Sequence, residues 1–303
     1  MTVSVIIPCY NGGPFLRDAI ESALEQTRPP EQVIVVDDGS TDDSASVASS
    51  FAEVLLVRQP NHGLCFTRNR GLAEATGEFV VFHDADDRLL PEALEIGVRA
   101  LREHRASGFA YGFHRLISAD GRAQPDPPRR LVTDASYLRT LEGDTLVPPG
   151  CAVFRRAHVE AVGGFRDESF PTEDYDFYLR LSREAPIHCH NQVVVEYRQH
   201  GGNISAKSAS RGLRSAHRTL EAQREFVRGK PELERALERG KAHWGRIFGP
   251  GVAFEAVEQL RGGRIGTSLG TFALALRWYP RGLVGVAQHY ARRVTGSVAA
   301  KRR

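Results

Sequence analysis

Residues 78–91, EFVVFHDADDRLLP, run an apolar stretch straight into Asp84, Asp86 and Asp87. Carboxylates this close repel one another, so their proximity asks for a compensating partner. Asp84 and Asp86 flank a single small residue, and in extended backbone their side chains point the same way. A hard divalent cation, Mg2+ or Mn2+, takes oxygen ligands of this kind and shares them with substrate phosphates. The plainer alternative is a solvated acidic turn. Asp87 is expected to support the pair or to cap a helix.

Three other groupings carry chemistry. In VVDDGSTDD, residues 35–43, Asp37 and Asp38 end an apolar run, Gly39 permits a tight turn, and Ser40 or Thr41 can cap the next helix. Such a carboxylate can accept a hydrogen bond from a nucleobase imide or a ribose, or simply belong to the turn. In TEDYDFYLRL, residues 172–181, Glu173 and Asp174 stand at an expected helix start, where acids also complement the helix dipole. His200, in YRQHGGNIS, is a candidate metal ligand or phosphate contact, or a structural imidazole.

The elements that must position these groups alternate regularly. VSVIIP, QVIVV, EVLLV and EFVVF are short β-rich apolar runs. The first three are followed by helical patterns, in PFLRDAIESALEQT, from near Thr41, and in GLCFTRNRGLAEAT. That order predicts a parallel sheet covered on both faces, with ligands bound beyond the carboxyl ends of its strands. Both acid clusters of this half lie at such ends. Further on, GFAYGFHRLI and NQVVVEYRQH read as strands and TEDYDFYLRLSREA as a helix; mixed strands after a parallel half suggest an α/β sheet with an added antiparallel portion. Residues 205–303 read as helices over 210–228, 231–246, 251–261 and 264–278.

Charge divides the chain at the same place. Residues 205–303 hold 20 Lys+Arg against 7 Asp+Glu, whereas residues 1–204 hold 20 against 30. An acidic body argues against nucleic acid as the ligand, because phosphate binding needs a basic face. The basic extension suits either solvated helix faces or an anionic membrane surface. The N-terminus lacks the features of a signal peptide. No stretch reaches the roughly 20 apolar residues of a membrane helix. The four cysteines are scattered, without zinc-site or disulfide spacing. A reduced, cytoplasmic protein is expected.

Taken together, the motifs Pro-x-Tyr-Asn at 8–11, Asp-Asp-Gly-Ser at 37–40, Arg-Asn-x-Gly at 68–71 and Asp-x-Asp at 84–86 resemble those of glycosyltransferase family 2. So do PPGCAVFRRAHVEAVGGFRDE, TEDYDFYLRL and YRQHGGNIS, in the family's order, over roughly residues 2–205. The resemblance implies a GT-A fold: a Rossmann-like mixed α/β sheet with helices on both faces. Residues 1–204 would form the nucleotide-sugar-binding and catalytic domain, and 205–303 a helical extension.

It implies roles as well. Pro8 and Tyr10 would line the nucleotide pocket. Asp38 would meet the uracil edge with Asp37 beside it, and Arg68 would lie near the nucleotide or diphosphate. Asp84 would approach the ribose or the metal, Asp86 would ligate the Mg2+ or Mn2+, and His200 would stand near both metal and diphosphate. Asp174 would be the catalytic base of an inverting transfer from a nucleotide sugar, expected to be a UDP-sugar, to a carbohydrate or lipid-linked acceptor. His83 and the Phe66–Thr67 pair depart from the family's usual residues, and a packing substitution is the expectation there. Acid clusters at strand ends also suit metal-dependent phosphoryl transfer, but enzymes with an aspartyl nucleophile place it after the first strand, where this chain has PCYNGG. A non-catalytic nucleotide-sugar binder is a third reading, and retention of Asp38, Asp84, Asp86 and Asp174 argues against it.

Overall fold

A computed structural model describes residues 1–126, 129–144, 147–202 and 208–280. Within them the chain forms two compact units, Met1–Thr140 with Asp144–Gly201, and Leu141–Gly143 with the chain from Gly202 onward.

The first unit opens with β1 (Val3–Cys9), α1 (Gly13–Leu24), β2 (Gln32–Asp37), α2 (Ser44–Ser49), β3 (Val54–Arg58), α3 (Leu64–Glu74) and β4 (Phe79–Phe82). All seven residues of β1 and all four of β4 are buried. Continuous apolar runs of this sort are what a strand needs when helices cover both its faces. On α1, Leu16, Ala19, Ile20 and Ala23 supply the covering stripe at helical spacing.

The chain continues through β5 (Arg88–Leu89), α4 (Ala93–Glu103), β6 (Phe109–Ser118), α5 (Tyr137–Glu142), β7 (Ala152–Arg155), α6 (Arg156–Ala161), α7 (Glu173–Glu184) and β8 (Ile187–Gln199). The described strands form one sheet in the order β3-β2-β1-β4-β7-β6-β8-β5. β1, β2, β3 and β4 run parallel, and β7 pairs antiparallel to β4. The direction of the sheet therefore changes beside β4, the strand that leads into the acids.

Pro8 is tolerated in this central strand for a local reason. The carbonyl of Ile6 faces β4, where it accepts from His83 N–H at 2.8 Å, and β4 ends at Phe82 opposite Ile6. Pro8, two residues on, turns the same edge to a place where no ladder partner is left to miss its N–H.

An aromatic cluster ties the end of β4 to α7. Phe82 meets Phe165 edge-on, with ring centroids 4.9 Å apart, and Phe165 stacks on Phe177 of α7 at 4.2 Å. Phe154 joins Phe82 and Phe177 from β7. These contacts fix the helix that bears Glu173 and Asp174 against the strand that leads to Asp84.

The second unit contains α8 (Ala209–Ala222), α9 (Arg224–Val227), α10 (Pro231–Arg261) and α11 (Ile265–Trp278). Ser208 caps α8, its hydroxyl accepting from Arg211 N–H. The helix expected over 210–228 is divided into α8 and α9. Conversely, the separate helices expected over 231–246 and 251–261 are one, running through Pro250. A proline inside a helix removes one backbone bond and costs roughly 3 kcal/mol. Packing of α10 along α8 and α11 offsets that locally. Gly245 and Gly249 let Trp278 and Tyr279 lie so near α10 that a Cβ at either glycine would come within 2.3 Å of them.

Candidate active site

Two of the motif loops are sewn to each other. Asn11 sits in left-handed backbone at φ 53°. Its side-chain oxygen accepts from Thr41 N–H at 2.8 Å, and its own N–H donates to the Ser40 hydroxyl at 2.9 Å. Gly12 N–H donates to Ser44 and Gly13 N–H to Asp42. The β1–α1 loop is thus fixed on the β2–α2 loop, while Tyr10 stands out from it, 55% exposed. Pro8 is buried.

Asp37 and Asp38 are both buried and both engaged. Asp37 accepts from Ser40 N–H at 3.0 Å, closing the turn, and from Arg58 Nε at 3.1 Å. Asp38 Oδ1 accepts from Gln59 Nε2 at 2.7 Å and His62 N–H at 2.9 Å, and its Oδ2 from Gly63 N–H at 2.9 Å. Asp38 therefore shapes the loop that leads into α3. Three of the roughly four acceptor positions of a carboxylate are used in this way.

The acid turn follows β4. His83 is fully buried, with burial pushing its imidazole down to about 4 against the opposing pull of Asp84, so it is neutral at neutral pH. The turn closes through Asp87 N–H to Asp84 C=O at 3.2 Å. Its three carboxylates then part company. Asp84 accepts from Arg68 Nη2 at 2.9 Å. Asp86 Oδ2 lies 2.9 Å from His200 Nε2, and the His200 ring also packs on Phe15 with centroids 4.8 Å apart. Asp87 is buried and accepts the backbone N–H of Arg198 at 2.9 Å. Asp87 thus fastens the turn to β8 and caps no helix.

Negative charge on the turn is incompletely balanced. Burial, then repulsion from Asp84, raises the Asp86 carboxyl above its ordinary range, with His200 opposing. Burial followed by Asp86 and Asp84 raises Asp87 well above it.

Arg68 joins this turn to α7. Its guanidinium is buried, donating from Nη2 to Asp84 and from Nη1 to Glu173 at 3.0 Å, and lies 4.9 Å from the centre of the Phe165 ring. Two buried atoms of the pair remain unpartnered, Arg68 Nε and Glu173 Oε2. Asp174 follows at the first turn of α7, half-buried, with Tyr175 N–H donating to it at 2.7 Å. Burial and then the adjacent Glu173 push its carboxyl up to about 7, against the pull of Arg68. A carboxyl poised there can take a proton near neutral pH and release it again.

A divalent cation is chemically suited to these donors, since Asp84 and Asp86 offer hard oxygens and His200 a nitrogen. The Asp86 carboxyl is raised first by burial and then by repulsion from Asp84, and a cation would relieve the second of these. Among the described residues, no three His, Cys, Asp or Glu side chains converge as a metal site. Asp86 and His200 meet, and Asp84 is turned to Arg68.

Nothing in the sequence sets Arg198 apart for a role in the site. Almost wholly buried, it donates to Asp86 C=O at 2.8 Å, Ala119 C=O at 2.9 Å and Asp18 Oδ2 at 2.8 Å. Its one visible signal was an arginine in a strand, two positions before His200. In the sequence Glu173 is only half of a Glu-Asp pair, and its partner Arg68 lies 105 residues away.

Comparison with known proteins agrees with this architecture. Residues 4–163 match the family described as "Glycosyl transferase family 2". An uncharacterized glycosyltransferase of Rickettsia conorii is 32% identical over 217 residues, 68% of this chain and 35% of that protein. Chondroitin synthase of Escherichia coli is 27% identical over 68% of this chain and 30% of its own length. The chain thus spans about a third of the length of these relatives. An uncharacterized Mycobacterium tuberculosis protein is 30% identical, with 73% of each covered.

Among solved structures, S. aureus TarS 1–349 in complex with UDP-GlcNAc superposes with a TM-score of 0.66 at 21% identity, covering 80% of this chain and 72% of TarS. The mannosyltransferase PcManGT of Pyrobaculum calidifontis, in complex with GDP-Man and Mn2+, gives 0.63 at 21% identity, covering 95% and 84%. The sheet and its covering helices are those of the GT-A fold, and the chain belongs to glycosyl transferase family 2.

Proposed function

We propose that the chain is an inverting glycosyltransferase that moves a sugar from a nucleotide donor to an acceptor hydroxyl, with Asp174 as the base. The observation that carries this reading is the buried bridge from Asp84 through Arg68 to Glu173. It sets a fixed positive charge between the acid turn and a carboxyl that titrates near neutrality.

Each residue has a task in that reaction. Pro8 and the exposed Tyr10 border the nucleotide, and the remaining acceptor position of Asp38 suits the imide N–H of uracil, which favours a UDP-sugar. Asp37 keeps the neighbouring turn in shape. Asp84, Asp86 and His200 would hold Mg2+ or Mn2+, which when bound supplies Lewis-acid stabilisation of the leaving diphosphate. Arg68 adds positive charge where that leaving group develops its own negative charge. Asp174 orients the acceptor hydroxyl and accepts its proton at a carboxylate oxygen, so that the oxygen attacks the anomeric carbon as the diphosphate departs. A single displacement of this kind inverts the configuration.

The division of labour follows the charge asymmetry. Residues 1–204 do the chemistry, and 205–303 bring the protein to an anionic surface, the cytoplasmic face of a membrane. The acceptor is then a carbohydrate or lipid-linked intermediate of polysaccharide, lipopolysaccharide or other glycoconjugate assembly. Screening nucleotide sugars for turnover that depends on Mg2+ or Mn2+, with the anomeric configuration of the product read by NMR, tests the proposal. Retention of configuration would overturn the single displacement, and phosphate release from simple esters without sugar transfer would overturn the reaction class.

A further inference from the structure

α11 is packed the wrong way round for a helix whose surroundings are water. The residues it buries are small or polar: Ser268, Thr271 and Ala275. Ser268 Oγ donates to the Ala256 carbonyl of α10 at 2.7 Å, so short side chains make the contact along this part of α11, with Trp278 closing it at the far end against Gly245. Four of its large apolar residues face outward instead, while Leu274 and Trp278 are half-buried. Ile265 is 60% exposed, Leu269 67%, Phe272 46% and Leu276 58%. Their spacings of four, three and four residues put all of them on one side of the helix, in a stripe roughly 16 Å long at 1.5 Å per residue. A contiguous exposed apolar face marks a docking surface.

Charge identifies what docks. From Gln259 to Arg303 the chain holds nine Lys and Arg and no Asp or Glu. Arg264 immediately precedes α11 and Arg277 lies in its last turn. The first turn carries no acid, although a helix N-terminus favours one. A second copy docked on the same stripe would bring its own Arg264 and Arg277 against those of the first and be repelled. An anionic bilayer satisfies both features, taking the apolar side chains into the acyl boundary and the arginines among its headgroups. Among the described residues no helix is long and apolar enough to cross a membrane, so α11 would lie along the surface.

We propose that the Ile265–Leu269–Phe272–Leu276 face of α11 is an in-plane anchor for an anionic lipid surface. This rests on the reading that the extension meets a membrane, and deepens it by replacing diffuse charge attraction with a defined apolar contact.

Flotation of the full chain with phosphatidylcholine vesicles, with and without phosphatidylglycerol, tests it. Wild type is expected to float only with the anionic vesicles. Leu269→Gln combined with Phe272→Gln, which leaves the charge unchanged, should weaken that binding at least about tenfold, from the apolar area no longer transferred out of water. Both side chains are exposed, so thermal unfolding and turnover of a soluble nucleotide sugar should be unchanged. In a second variant, Leu269→Trp, the emission should shift to the blue when anionic vesicles are added. If the double variant floats as well as wild type, or the tryptophan emission does not move, the anchor is overturned while charge-driven attachment by the basic extension stands. If wild type does not float, both readings fall. Self-association that the double variant abolishes, without vesicle binding by wild type, assigns the face to a second copy and overturns the anchor.

Discussion

Asn69 holds Phe165 by both backbone groups at once, its amide nitrogen donating to the Phe165 carbonyl at 2.8 Å and its oxygen accepting the Phe165 N–H at 2.9 Å. The two residues are 96 positions apart. This reciprocal clamp seats the loop before α7 on α3, and the Phe165 ring then lies under the Arg68 guanidinium. Asn69→Leu keeps the volume but strands two polar groups. It is expected to cost about 1–3 kcal/mol in urea denaturation. It should also lower turnover, since α7 loses part of its support.

Asp174→Asn should leave donor affinity intact and reduce transfer on the order of 100-fold or more, the usual contribution of a positioned base. Calorimetry with the nucleotide sugar and steady-state turnover separate the two quantities. Turnover equal to wild type would remove Asp174 from the role.

The pH dependence follows from the same carboxyl. A base with its pKa raised to about 7 is protonated and inactive in acid, so kcat/KM should rise with pH and level off above about 7. Folding moves the opposite way. Between about pH 4 and pH 7 the native carboxyl keeps a proton that the unfolded chain has released, so its contribution to stability falls as pH rises through that window. Comparing denaturation of wild type and Asp174→Asn at the two ends of the window reads this directly, and the variant should gain relative stability at the upper end.

Arg68→Met withdraws the cation shared by Asp84 and Glu173. Breaking a buried ion pair from one side costs roughly 3–5 kcal/mol, and the melting temperature should fall accordingly. Arg68→Lys retains the charge, yet one ammonium cannot reproduce the planar fork that serves two separate carboxylates. It should recover most of the stability and less of the turnover.

Asp86→Ala should weaken donor binding in Mn2+ and leave the much weaker metal-free binding almost unchanged. Identical titration curves with Mn2+ for wild type and variant would contradict a ligand role for Asp86.

How far the sequence discloses this site depends on the range of each interaction. β1 to β4 were legible because each is a short apolar run bounded by turn residues, and a parallel order follows from the helices between them. The acid turn was legible because its charges are neighbours in the chain. The added antiparallel portion is legible as such, but β7 has only four residues, too few for a period, so its place beside β4 is not. The Arg68–Glu173 bridge leaves no local trace, since each residue alone is an ordinary polar member of an amphipathic helix. Pro250 misled for another reason, because local propensity marks a break that packing on both sides of α10 overrides. Asp37 and Asp38 were readable as a strand end, but nothing adjacent announced that Arg58, Gln59 and His62 would claim their oxygens.

Gly71 completes the Arg-Asn-x-Gly motif, three residues after Arg68 on α3. A Cβ there would stand 2.3 Å from Ile6 Cγ2 and 3.2 Å from Val36 Cγ2. The helix therefore rests on β1 and β2 at the separation a bare backbone permits, and any larger residue would lift it. Arg68 rides on that helix while Asp84 is anchored to the sheet through β4. The gap between guanidinium and carboxylate is consequently gauged by a missing methyl group: the third dimension of the charge pattern is set by a residue that touches neither charge.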